Sequence, residues 1–326
     1  MAALSSRLTG AGHQRLVRAP RTAVALVAVG AAMWGTDGAL RAPLVPRWSA
    51  WTIVLYEHLI LTGMVAVPLL RSVAAVRRIP RRGWIAVVGV SWGGSALATL
   101  AFTTAFQYGN PDVVVLLQKT QPLWALAASG WLLRERPRGH LVPLAIAAGV
   151  GTYLLSFGWT GPAGAFAGAQ GKAAVLALAA AALWGTATAL GRSALRHTDP
   201  GTLTGLRFVV AVPLLAVIAT TQGSLGAPAS SGQLDLTRLV LLALIPGLLG
   251  LLLYYRGLQR TPASIATFAE LAFPATALAV NYLVLRATID AAQVAGFAVL
   301  WLTIALLHCV PVRLPHAGRD PGAVPV

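Results

Sequence analysis

Apolar positions along this chain gather into long runs separated by short polar segments. The runs fall at roughly 22–40, 51–70, 83–107, 111–133 and 140–158, then 172–191, 202–221, 237–255, 262–285 and 291–312. Most are near the roughly 20 residues that a helix rising about 1.5 Å per residue needs to cross a bilayer core. They are too long for barrel strands and lack alternation, so helices are the better reading. The run at 237–255 is the most interrupted, by Pro246, Gly247 and Gly250. The pattern predicts an all-α membrane protein with ten transmembrane helices.

Composition agrees with that picture. Hydrophobic residues make up 57% of the 326 positions and charged residues 10%, against about 25% charged in an average soluble domain. A net charge of +16 would point to nucleic acid in a soluble protein, but here the arginines sit in short segments between apolar runs. They read as a topology signal. With the N-terminus inside, the inner segments hold most of the basic residues. The outer segments hold Arg41, Arg47, Lys172, Arg238 and Arg286. Residues 1–21 and 313–326 are then expected to be cytoplasmic tails, and 159–171 is a linker. The basic stretch before Thr22 resembles a secretory signal, yet the following run recurs later in the chain, so it is expected to be retained. The single Cys309 excludes an intrachain disulfide and a multi-cysteine metal site.

Internal repetition is marked. Ala31-Ala32-Met33-Trp34-Gly35-Thr36 reappears as Ala181-Ala182-Leu183-Trp184-Gly185-Thr186, an offset of 150 that also sets Glu57 against Arg207. Further on the offset is 152, pairing Gln107 with Gln259, Gln118 with Glu270 and Pro122 with Pro274. Residues 22–158 and 172–312 therefore read as two copies of one five-helix unit. Five is odd, so the second copy enters the membrane from the other side. Such inverted repeats are common in secondary transporters, whose substrate site lies between the repeats near midplane.

Ten spans, duplicated five-helix units, Trp-Gly near the start of each unit and Glu135-Arg136 after the fourth span resemble the EamA-type branch of the drug/metabolite transporter superfamily. The second copy departs at the acidic position, with Arg286-Ala287. The resemblance implies a bacterial inner-membrane carrier, usually an exporter of amino acids or other small metabolites.

Charged residues inside the spans are the candidate chemistry, because a charge at bilayer depth must be paired, hydrated or facing a cavity. Lys119 lies well inside its span, flanked by Gln118 and Gln121 and followed by Pro122. It is expected to hold a substrate's negative group or to pair with an acidic neighbour. Glu270 is its counterpart in the second copy, on a polar seam with Thr267, Pro274 and Asn281 at helical spacing. It could carry a proton, or lock to Lys119. Glu57, next to His58, faces the repeat-related Arg207, which suits an ion pair across the pseudo-twofold. Asp37 and Asp112 read as solvated interface groups. Trp34 and Trp184 either line the cavity or pack helices, and Gly89 to Gly94 suit close helix approach.

No His-Glu-x-x-His, nucleophile elbow or cysteine cluster is present, so an enzyme is not expected and no cofactor is implied. The expected function is a secondary carrier exporting amino acids or similar small metabolites by alternating access, with possible proton coupling. Its partners are a small-molecule substrate and the bilayer, not nucleic acid. An efflux carrier for larger amphipathic compounds is the alternative, ahead of a membrane scaffold or a membrane-embedded enzyme.

Overall fold

The structure is a computed structural model. It describes residues 16–17, 20–109, 111–118, 120–135, 141–159, 168–223, 231–285, 290–306 and 312–313. Lys119, Arg136 and Arg286-Ala287 lie outside the described residues, as do the side chains of Asp112 and Asn281.

The first copy begins with α1 (Arg21–Trp34) and α2 (Asp37–Arg41), then α3 (Ala50–Arg71) and the short α4 (Val73–Arg77). Next come α5 (Arg81–Val88), a π-helical stretch at Gly89–Leu97 and α6 (Ala98–Tyr108). The copy closes with α7 (Pro111–Gln118), α8 (Gln121–Leu132) and α9 (Leu141–Phe157). The second repeats the order with α10 (Gly168–Ala194), α11 (Pro200–Thr221) and α12 (Gln233–Leu242), a π-helical stretch at Ala243–Gly250 and α13 (Leu251–Leu258). It ends with α14 (Ala263–Ala269), α15 (Ala272–Leu285) and α16 (Ala291–Leu306). Leu16–Val17 pairs antiparallel with Val312–Arg313, which brings the two chain ends together on one face of the bundle. Apart from that pairing, the described residues are all-α.

Among the described residues, 6 stretches are long and apolar enough to cross a membrane: 21–41, 50–71, 81–108, 168–194, 200–221 and 233–258. The runs at 111–133 and 262–285 differ from the expectation, because each is two helices. The physical reason is the same in both. Pro122 and Pro274 lack the amide hydrogen, and their rings crowd the carbonyl four residues back, which belongs to Gln118 and Glu270. The chain turns there instead, with Thr120 and Leu271 donating to carbonyls only three residues back, Leu117 and Phe268. The polar seam expected on one continuous helix is thus split.

The two copies pack by exchange. Helix α1 lies on α13 and α10 on α6, while α3 meets α11 and α9 meets α16. These are the reciprocal contacts of an approximate twofold. The recurring Trp-Gly-Thr has a direct explanation in this packing. A Cβ on Gly35 would sit 2.8 Å from Ala277 N and 2.9 Å from Phe273 O, and one on Gly185 2.7 Å from Ala125 N and 2.8 Å from Gln121 O. Each glycine lets its helix touch the backbone just past the proline break in the other copy.

The largest apolar cluster joins the helix ends on the face of the chain termini. It includes Val24 and Val27 of α1, Leu61 and Val65 of α3, Leu203 of α11 and Leu258 of α13. Towards the opposite face the apolar core divides into smaller clusters, and a cavity of about 170 Å³ lies between the copies.

Candidate functional site

The broken helices aim their polar residues into this cavity. Glu270, at the α14–α15 break, is buried and accepts three hydrogen bonds from neutral groups. Its Oε1 receives the hydroxyls of Tyr254 at 2.7 Å and Thr188 at 3.1 Å, and its Oε2 receives Gln121 Nε2 at 2.7 Å. Gln121 Oε1 in turn accepts from Gln118 Nε2 at 3.0 Å. Gln118 Oε1 is buried with no hydrogen-bond partner among the described residues. All five side chains, Gln118, Gln121, Thr188, Tyr254 and Glu270, border the cavity.

A second carboxylate, Glu57 on α3, is held differently. Arg41 is 1% exposed. Its Nη2 reaches Glu57 Oε2 at 3.0 Å and its Nη1 donates to Thr103 Oγ1 at 3.0 Å. Asp37 takes Arg41 Nε and Nη2 through both oxygens, each at 2.7 Å. Two acids and one cation form a closed, charge-assisted cluster.

This corrects three expectations. Glu57 pairs with Arg41, not with Arg207. Asp37 is an ion-pair partner rather than a solvated interface group, because α2 places it one turn before Arg41. Arg41, expected in an outer segment, is instead a buried cation. Arg207 has other partners: Ser95 Oγ at 2.6 Å, the Tyr255 hydroxyl at 2.8 Å and the Gly94 carbonyl at 3.1 Å. That carbonyl lies in the π-helical stretch at 89–97 and also accepts Trp184 Nε1 at 2.8 Å.

His58 is buried and borders the cavity, with Nδ1 at 2.9 Å from the Val54 carbonyl. A carbonyl only accepts, so Nδ1 carries the hydrogen; in the neutral ring Nε2 then presents a lone pair, and it has no partner among the described residues. Trp34 and Trp184 both line the cavity and both pack: Trp34 on Tyr254 at 4.8 Å and Trp184 on Phe102 at 5.2 Å between ring centroids. Tyr254 and Phe102 are themselves 152 residues apart, so the two aromatic pairs are repeat-related. Thr267 is buried outside the cavity wall, whereas Glu270 and Pro274 form part of it. Asn281 and Lys119 fall outside what is described, so the proposed Lys119–Glu270 lock has no geometry here.

Glu135 has a role that its sequence context does not reveal. Its carboxylate accepts the amide hydrogens of Ala263 and Ser264 at 3.1 and 2.9 Å. It caps the first turn of α14, where unpaired amides and the helix dipole favour an anion. Beside it, Arg192 donates to the Gln259 carbonyl. Sequence reasoning missed Arg41, Tyr254, Thr188 and Phe102 at the cavity. The Asp37–Arg41 spacing and the 152-residue relation of Phe102 to Tyr254 were the available signals. Among the described residues, no group of three or more potential ligands could hold a metal.

Two packed copies with broken helices and a polar cavity between them are the architecture of many membrane transporters. The sequence profile of the EamA-like transporter family matches residues 21–157 and again 171–309. The chain belongs to that family, within the drug/metabolite transporter superfamily. It is similar to the riboflavin transporter ImpX of Fusobacterium nucleatum, at 27% identity over 285 residues, covering 86% of this chain and 95% of that protein. A solved crystal structure matches with TM-score 0.69 and 21% identity, covering 88% of this chain and 96% of the other. That match supports the fold alone.

Proposed function

We propose that the protein is a secondary carrier of the bacterial inner membrane, built of ten spans as two inverted five-helix repeats and working by alternating access. The observation that carries this reading is the cavity between the copies, walled by two broken helices and holding a buried carboxylate. The adjacent chain ends suit an even number of spans. With both termini cytoplasmic, as the arginine distribution favours, the continuous core closes the inner side and the cavity faces outward.

The substrate we favour is a planar metabolite carrying N–H or O–H donors, of the flavin type. Trp34, Trp184, Phe102 and Tyr254 offer ring faces, and the buried atoms without a partner among the described residues, Gln118 Oε1 and the Nε2 of a neutral His58, are acceptors. The similarity to a riboflavin transporter supports the same class. A second reading, an amino-acid carrier, is favoured by the modest volume. About 170 Å³ falls below the roughly 300–1,000 Å³ of drug-sized sites. An amino acid needs a cation for its carboxylate. Arg41 and Arg207 are each committed to internal partners, which leaves that role to Lys119.

The test is flux into proteoliposomes of labelled riboflavin and, separately, labelled aromatic amino acids, with and without a proton gradient. Saturable riboflavin flux supports the first reading. Amino-acid flux lost in Lys119→Gln supports the second. No flux of either, from protein that remains folded, overturns both substrate assignments.

A further inference from the structure

The three side chains Gln118, Gln121 and Glu270 form a chain whose direction is chemically determined. A carboxylate can only accept hydrogen bonds, whereas an amide has one accepting and one donating end. With Glu270 ionised, Gln121 must turn its Nε2 to Glu270 Oε2, as observed at 2.7 Å. Its Oε1 then faces Gln118, which must donate through Nε2, as observed at 3.0 Å. The end of the chain at the cavity wall is therefore an acceptor, Gln118 Oε1, buried and without a partner among the described residues. We infer that this chain is a proton-to-substrate relay: protonation of Glu270 reverses both amides, so that Gln118 presents a donor to the cavity instead of an acceptor.

The proton's destination follows from the bonds already made. Glu270 Oε1 receives two hydroxyls, from Tyr254 and Thr188, and Oε2 only the Gln121 amide. A proton taken from water bonds to Oε2, which becomes a donor. The Gln121 Nε2–Oε2 bond breaks and the Gln121 amide rotates half a turn, accepting at Oε1 from the new Oε2–H. Gln121 Nε2 then donates to Gln118 Oε1, in place of the bond from Gln118 Nε2, which turns towards the cavity. Loss of the proton to water restores the first arrangement. A ligand offering N–H or O–H groups fits the ionised form, and one offering carbonyls or a carboxylate fits the protonated form. Gln118 is the residue that meets the substrate, and Gln121 is a positioning residue.

The surroundings suit a relay that Glu270 controls. Helices α1, α2, α8, α9, α10, α13 and α16 pack on α14 or α15. Their titratable groups are Arg21, Asp37, Arg41, Tyr153, Lys172, Arg192, Tyr254, Tyr255 and Arg256, and α15 itself carries Tyr282. Of these, Tyr254 bonds Glu270; Arg41 is held by Asp37 and Glu57, Arg192 by the Gln259 carbonyl and Tyr255 by Arg207. Lys172 lies over the Tyr108 ring, and Arg21, Arg256, Tyr153 and Tyr282 are exposed.

This inference rests on the cavity being the substrate site, but its test needs no substrate. Infrared difference spectra between neutral and acidic pH are recorded on the reconstituted full chain with isotope-labelled glutamine. In the wild type a carboxylic-acid band should appear together with a shift of glutamine side-chain carbonyl bands. Glu270→Gln should lose the Glu270 part of the acid band, leaving the bands of the other carboxyl groups, and should lose the glutamine shift. Gln121→Leu should keep the acid band and lose the shift, and Gln118→Leu should keep the acid band and only the Gln121 part of the shift. An acid band without a glutamine shift overturns the relay, as does a shift that survives in Glu270→Gln. So does an acid band that Glu270→Gln leaves undiminished over the pH range in which the protein stays folded. If Glu270→Gln fails to fold, the two leucine variants still decide. A failed flux assay would leave these spectra unchanged, so the two readings fail separately.

Discussion

Glu57 and Glu270 are two buried carboxylates on opposite copies of one repeat, bordering one cavity, and their surroundings differ in kind. Glu57 belongs to a cluster that supplies its own counter-charge through Arg41 and locks it again through Asp37. Glu270 is satisfied by two hydroxyls and an amide, groups that tolerate a change of its charge. A buried ion pair resists losing one partner, because the other is then left charged in a low-dielectric site. A carboxylate bonded to hydroxyls and an amide can rearrange its hydrogens instead. Depth and residue type are thus poor guides to role. The first acid reads as architecture, the second as a working group.

Removing Arg41 is the sharpest way to break this comparison. Arg41→Gln strands Glu57 and Asp37 and should destabilise the fold by roughly 3–5 kcal/mol, read as a large loss of monodisperse protein and a lowered Tm in detergent. An unchanged Tm would show that the cluster is not structural. Next in size are Gly35→Ala and Gly185→Ala. Each places a methyl under 3 Å from backbone of the other copy, and overpacking of this kind costs typically about 1–3 kcal/mol. Their thermal shifts should be similar, since the contacts are repeat-related. A strong inequality would break the symmetry argument.

Glu135→Ala removes an N-terminal cap from α14 and should cost about 0.5–2 kcal/mol. Hydrogen exchange should rise first at Ala263 and Ser264, and exchange spread evenly over the bundle would count against a local cap. The smallest stability change is expected for Glu270→Gln, within about 1 kcal/mol of wild type in Tm-derived stability. Its transport of whichever probe the wild type carries should fall at least about tenfold, a loss of about 1.4 kcal/mol or more of transition-state stabilisation. Normal flux in that variant would place Glu270 with Glu57, as architecture.

Much of the site was legible before any coordinates. The recurring Trp-Gly-Thr and the offset prolines revealed the duplication, because a repeat forces equivalent residues into equivalent packing. The helix breaks at Pro122 and Pro274 and the contacts of Gly35 and Gly185 came only from the structure. Polarity in an apolar run singled out Gln118, Gln121, Glu57 and Glu270, because unpaired polar groups are costly in lipid. Partner choice was not legible. Arg207 was matched with Glu57 on repeat position alone, yet it binds Ser95 and Tyr255, common residues whose nearness no local pattern announces. Arg41 was hidden among the interfacial arginines, although its spacing from Asp37 hinted at an ion pair. Glu135 meets a helix start 128 residues away, beyond the reach of any local signal.

The chain's own pattern, then, determined that it is helical, duplicated and membrane-embedded, because hydropathy and repetition are properties of linear order and act through a solvent the whole chain shares. Only the tertiary structure decided which charges neutralise one another and which amide faces the cavity. Those choices depend on distances of about 3 Å between residues far apart in sequence, where a single turn of helix changes the partner.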